Sequence, residues 1–162
     1  MTRPAKHCLL VVDDEPSVSD SVHDLLRLEF RVLRARNAEE AYRVMQEDEV
    51  HVVMTDQRMP RISGVEMLRN MRLRHPHAVR ILYTGYADIE SVITAINHGR
   101  VFRFLRKPWR PEDLEEAVRE AAAEYQALVD QTEQTERLQR EIGELRDRVG
   151  ALEAEAERLR PA

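Results

Sequence analysis

The sequence predicts an α/β fold: a parallel sheet covered by helices on both faces, followed by one very long helix. Five short apolar runs alternate with stretches of helical periodicity, and strand–helix alternation of this kind is the signature of a parallel sheet. The connections between them are short, which leaves little room for antiparallel returns. No proline interrupts the chain between Pro111 and Pro161.

The first apolar run, His7 to Val12, ends in Asp13-Asp14-Glu15-Pro16 and reads as a buried strand followed by a turn. From Ser17, Val18, Val22, Leu25, Leu26 and Phe30 recur at helical spacing, and Phe30 to Ala35 forms a second strand. Asn37 caps a helix to about Glu47 whose inner face carries Ala41, Val44 and Met45. His51 to Thr55 is the third strand and delivers Asp56 at its end. Ser63 opens a helix bearing Val65, Met67, Leu68 and Met71, which His75-Pro76 stops. Val79 to Tyr83 is the fourth strand, and Asp88 caps a helix to Asn97 that His98-Gly99 closes. Val101 to Leu105 is the fifth strand, and Pro111 suits the first turn of the final helix. That helix spans about 50 residues, or about 75 Å at 1.5 Å per residue, so much of it is expected to project.

Composition narrows the function. The 162 residues suffice for one ordinary domain with an appendage, and a formal charge of −5 argues against a surface built to neutralise nucleic acid. No apolar stretch approaches a membrane span and the start lacks a secretion signal, so a cytoplasmic location is expected. Cys8 is the only cysteine, which excludes an intrachain disulfide and a cysteine metal cage. Basic residues are almost all arginine, with lysine only at positions 6 and 107.

In parallel sheets of this kind ligands bind beyond the carboxyl ends of the strands. Asp13 and Asp14, Asp56, Thr84 and Lys107 fall at or just after the ends of four predicted strands. Three carboxylates brought together either stay partly protonated or hold a cation. An oxygen-only ligand set suits a partly hydrated Mg²⁺ or Mn²⁺ rather than zinc, and is too small for calcium. A carboxylate beside such an ion can attack phosphorus, with Lys107 supplying positive charge, Thr84 a hydroxyl and Gly85 room for close backbone approach.

The motifs LLVVDDEP, MTDQRMPRISG, ILYTGY and RFLRKPW occur in that order. From about His7 to Glu120 the sequence thereby resembles a response regulator receiver domain of two-component systems. The resemblance implies a flavodoxin-like fold with strand order 2-1-3-4-5. It implies Asp56 as phospho-acceptor, Asp14 as a direct metal ligand, Asp13 as a water-mediated one and the Arg58 backbone carbonyl as a further metal contact. It implies a sensor histidine kinase as phosphodonor. Thr84 and Phe104 form the implied switch pair, Lys107-Pro108 matches a cis peptide position, and Arg58 and Tyr86 match positions that govern phosphate lifetime. The endings RFLRKPW and TGYADIE look most similar to receivers of hydrogenase regulators and cyclic-dinucleotide phosphodiesterases. A phosphatase of the haloacid-dehalogenase type would need a second acid two residues after Asp56, where Arg58 stands.

In the final helix Val118, Ala121, Tyr125, Leu128, Thr132 and Thr135, then Leu138, Ile142, Leu145, Val149, Leu152, Ala156 and Leu159, define a coiled-coil seam. Two consecutive steps of three, Thr132 to Thr135 to Leu138, slip the frame. A parallel homodimer through residues 118–159 is expected. The predicted division is a tail at 1–6, a receiver at 7–122, a continuous coiled-coil helix at 123–160, and 161–162 as an end or the start of an output region. Arg100, Arg103, Arg106 and Arg110 surround the fifth strand as solvated charge or a docking surface.

Overall fold

The computed structural model describes residues 5–85, 89–94, 96–97 and 100–162. Five strands, β1 (Cys8–Val12), β2 (Arg31–Ala35), β3 (Val52–Asp56), β4 (Val79–Thr84) and β5 (Arg103–Arg106), form one parallel sheet in the order β2-β1-β3-β4-β5. Between them lie α1 (Pro16–Leu26), α2 (Ala38–Glu47), α3 (Gly64–Arg74) and α4 (Ile89–Thr94), and α5 runs from Pro111 to Arg158. Strand order and fold class agree with the sequence expectation. The expected cap of α4, Asp88, lies outside the described residues.

The three inner strands form because they are buried on both faces, while the edge strands β2 and β5 are partly exposed. Every residue of β1, β3 and β4 is buried, so continuous apolar runs replace alternation, as a sheet covered on two sides requires. Leu10, Val12 and Val53 share a core with Ala41 and Met45 of α2 and with Val65, Met67, Leu68 and Met71 of α3. Fully burying aliphatic side chains of this size contributes about 1.5–3 kcal/mol each before entropy is counted.

Helix starts follow their caps. The Asn37 side chain accepts the Glu40 N–H at 2.9 Å, while the Glu40 carboxylate reaches back to the Arg36 N–H at 2.9 Å. Ser63 accepts the Glu66 N–H at 3.2 Å. Cys8 is buried in β1, its N–H donates to His51 Nδ1 at 2.9 Å, and burial pushes its thiol above the ordinary value.

The chain divides into two compact units, Met1–Gln126 and Ala127–Ala162. Within the first, Leu114, Ala117, Val118, Ala121 and Ala122 of α5 are buried in the domain's own core. This corrects the expected dimer seam, which began at Val118: with Val118 and Ala121 fully buried inside one chain, neither is available to a partner. Within the second unit, Leu138, Ile142, Leu145, Val149, Leu152 and Leu159 are 48% to 76% exposed. Of the arginines around β5, Arg103 pairs with Glu120 and Arg110 with Asp113. Among the described residues no helix is long and apolar enough to cross a membrane.

Gly64 opens α3 against the end of β3. A Cβ there would lie 2.2 Å from the Asp56 carbonyl oxygen and 3.1 Å from Gln57 Cα, both rigid backbone. Overpacking of this kind costs typically 1–3 kcal/mol, so Gly64→Ala is expected to destabilise by about 2 kcal/mol. Urea unfolding reads this as a lower midpoint with an unchanged slope, and an unchanged midpoint would show that α3 and β3 part without penalty.

Candidate functional site

The carboxyl ends of β1, β3 and β4 and the residue following β5 meet at one edge of the sheet. Asp13 follows β1 and is wholly buried, Asp56 ends β3 and is buried, and Asp14 is exposed. One carboxylate oxygen from each lies within 4.8 Å of the others. Lys107, directly after β5, places Nζ 3.2 Å from Asp56 Oδ2 and 3.4 Å from Asp13 Oδ2.

Local backbone structure puts these groups in place. The Glu15 N–H donates to Asp13 Oδ1 at 2.8 Å, which turns the chain immediately after β1. Val12 stands opposite Thr55, and Asp56 opposite Tyr83, in the parallel registers that align the strand ends. The Gln57 N–H donates to the Tyr83 carbonyl and the Gly64 N–H to the Gln57 carbonyl, both at 3.0 Å, so the segment after Asp56 is tied at both ends. The Lys107 N–H donates to the Thr84 carbonyl at 2.9 Å, and the Lys107-Pro108 bond is cis.

Electrostatics at this edge oppose full ionisation. Burial pushes the Asp56 carboxyl above its ordinary value, the Asp13 charge acts in the same direction, and Lys107 pulls it back. A cluster of three carboxylates facing one ammonium, with one of the acids open to solvent, is a donor set that fits a hard divalent cation. Asp14, Arg58 and Thr84 line one open cleft beside it, while Gly85, Lys107 and Trp109 line another.

The other expected site residues are placed as follows. Thr84 is buried at the end of β4. The Arg58 N–H points to Asp56 Oδ1 at 3.4 Å, and the Arg58 residue is exposed. Phe104 is partly buried, stands opposite Leu82 in the β4–β5 register and packs against the core. Tyr86 lies outside the described residues. A Cβ at Gly85 would meet Lys107 Cβ at 3.9 Å, an ordinary contact, so the packing of the chain itself makes no demand for glycine there.

Sequence reasoning missed Tyr83. The sequence places it only as the last residue of the fourth strand, yet its hydroxyl donates to Asp13 Oδ2 at 2.7 Å and its ring lies 4.9 Å below Lys107 Nζ. Trp109 meets the same ring edge-on at 5.0 Å. Burial and the nearby carboxylates push the phenol far above its ordinary value, so it stays a donor. The available signal was a lone hydroxyl-bearing aromatic in the strand VRILYT, directly before Thr84.

Residues 9–119 match the family described as response regulator receiver domain. Hydrogenase transcriptional regulatory protein HoxA of Cupriavidus necator is 42% identical over 113 residues, covering 70% of this chain and 23% of that protein. HoxA of Bradyrhizobium diazoefficiens is 38% identical over 72% of this chain and 24% of its own length. The chain thus spans about a quarter of these relatives. Among solved structures, the signal receiver domain of an HD domain-containing protein from Pseudomonas fluorescens has a TM-score of 0.76 at 27% identity, covering 80% of this chain and 96% of that one. A receiver domain from Clostridium thermocellum gives 0.70 at 34% identity, covering 75% and 98%.

Since Lys107 is what offsets the burial of Asp56, Lys107→Met is expected to raise the Asp56 carboxyl further. Carboxyl carbon chemical shifts followed against pH read the change, and a midpoint that stays put or falls would remove Lys107 from the electrostatics of the site.

Proposed function

From the premise that this chain belongs to the response regulator receiver domain family of two-component systems, we propose that Asp56 accepts a phosphoryl group from a sensor histidine kinase and that a dimer of the C-terminal helix carries the signal onward. Phosphorylation-dependent signalling follows from the family itself. The observation that carries the finer reading is Lys107 Nζ at 3.2 Å from Asp56 Oδ2, inside an acidic cluster.

In this reading an Asp56 oxygen attacks phosphorus, the phosphorus–nitrogen bond of the donor phosphohistidine breaks, and the imidazole nitrogen leaves with the electron pair. Mg²⁺, or Mn²⁺ in its place, would be held by Asp14, Asp56, the Arg58 carbonyl and, through water, Asp13, and would supply charge neutralisation for the transferred oxygens. Lys107 is near enough to Asp56 to pair with one of those oxygens after small adjustment. Thr84 turns its hydroxyl to another, and Phe104 repacks in response. The chain acts as an enzyme only upon its own aspartate. Arg58 and Tyr86 shield the aspartyl phosphate from water.

A second copy of this chain is the partner that best fits the exposed stripe. With Ile142, Val149 and Ala156 at one seam position and Leu138, Leu145, Leu152 and Leu159 at the other, β-branched residues at two of the first three and leucine throughout the second favour two parallel strands. In that arrangement Glu141 faces the partner's Arg146, Arg148 the partner's Glu153, and Glu155 the partner's Arg160. Each of these flanking pairs is of opposite charge. The curated relatives named above are transcriptional regulators, and DNA contact is not assigned to this segment.

Three measurements test the reading. On a gel-filtration column with light scattering, the protein is expected at twice its chain mass with Mg²⁺ alone and with beryllofluoride, and Leu145→Asp at the monomer mass; a monomeric parent protein in both conditions would remove the homodimer. Acetyl phosphate with Mg²⁺ is expected to label the parent protein and leave Asp56→Asn unlabelled, and equal labelling would move the acceptor elsewhere. The double variant Arg58→Asn, Tyr86→Ala is expected to lose its phosphoryl group several-fold faster, whereas identical decay would strip both residues of a shielding role.

A further inference from the structure

Asp13 is wholly buried, yet both of its oxygens are engaged: Oδ1 by the Glu15 N–H at 2.8 Å, Oδ2 by the Tyr83 hydroxyl at 2.7 Å and by Lys107 Nζ at 3.4 Å. The phenol contact has the length of a charge-assisted O–H···O⁻ bond, and the alternative acceptor, the Val12 carbonyl, is 3.5 Å away. A buried tyrosine needs a partner for its hydroxyl, and here that partner is a carboxylate of the acidic cluster rather than a structural carbonyl.

The same side chain touches the cation of the site. The wholly buried Tyr83 ring lies beneath Lys107 Nζ at 4.9 Å, while that ammonium also reaches Asp13 and Asp56. A lysine stem is flexible, and an aromatic face under its head limits where the charge can settle. Leucine, isoleucine or valine at this strand position would keep the core filled, but would leave Asp13 Oδ2 without its shortest bond and Lys107 without its floor.

We infer that Tyr83 is a positioning residue of the acidic site, its hydroxyl locking the Asp13 carboxylate in one orientation for a divalent cation while its ring face seats Lys107 between Asp13 and Asp56. The inference rests on the reading that this cluster binds such a cation. A donor behind a metal-binding carboxylate fixes its orientation, and losing such a donor weakens metal binding by about 10–100-fold. Tyr83→Phe isolates the hydroxyl, because phenylalanine retains the ring, the Trp109 contact and the surface under Lys107.

The probe is Mn²⁺ alone, its free-ion paramagnetic resonance signal lost on binding, with Trp109 fluorescence as a second readout. The parent protein is compared with Tyr83→Phe, Asp13→Asn and the double variant, each checked for native near-ultraviolet circular dichroism. Tyr83→Phe is expected to bind Mn²⁺ about tenfold more weakly. The double variant is expected to match Asp13→Asn, since Tyr83 acts through Asp13. Equal affinity in the parent protein and Tyr83→Phe would reduce Tyr83 to packing and overturn the inference. A double variant weaker than Asp13→Asn would overturn the route through Asp13. A parent protein that leaves the Mn²⁺ signal untouched would overturn the cation reading itself, a result distinct from the other two.

Discussion

Three carboxylates whose oxygens approach within 4.8 Å of one another repel strongly, and two of them, Asp13 and Asp56, are buried where water cannot relieve the repulsion. Much of the local architecture answers that constraint. The Glu15 N–H, the Tyr83 hydroxyl and the Lys107 ammonium all converge on Asp13, and Lys107 extends to Asp56. The sheet order matters for the same reason: β1 and β3 are neighbours at its centre, so their acidic ends are adjacent, and β4 stands next to deliver Tyr83 and Thr84. A strand order that separated β1 from β3 would leave Asp13 and Asp14 at one strand end, Asp56 alone at another, and no three-acid cluster.

The fold was legible because burial on both faces writes itself into composition. Runs such as Cys8–Val12 and Val52–Asp56 are uniformly buried, and uninterrupted apolar stretches between turn residues announce such strands. The candidate site was legible through the same logic, since Asp13, Asp56, Thr84 and Lys107 close four strands that the fold must bring together. Strand limits were less so. Pairing in β5 begins at Arg103, opposite Ile81, rather than at the expected Val101, because pairing is fixed by the neighbour strand and not by local hydrophobicity.

Two features escaped for physical reasons. An apolar stripe on a helix looks the same whether it faces its own domain or another chain, so Val118 and Ala121 read as seam although they fill the domain's core. Only the position of the sheet beneath α5 separates the two. Tyr83 escaped because strand periodicity predicts which face a side chain occupies and says nothing about where a hydroxyl at its tip will find an acceptor. Gly64 was part of a recognised motif, but the 2.2 Å approach that a Cβ would make to the Asp56 carbonyl needs coordinates to be seen.

The lone cysteine has a practical consequence. Cys8 is sealed inside β1, and its thiol is held in the protonated, poorly nucleophilic form. This chain therefore presents a surface blank to maleimides and to nitroxide reagents. A cysteine placed at the exposed Arg137 or Glu157 would be labelled alone, without first removing a native one. Distances between two such labels, one per copy, would read strand direction in a paired helix directly: equal and short at both sites for parallel chains, long at each site for antiparallel ones.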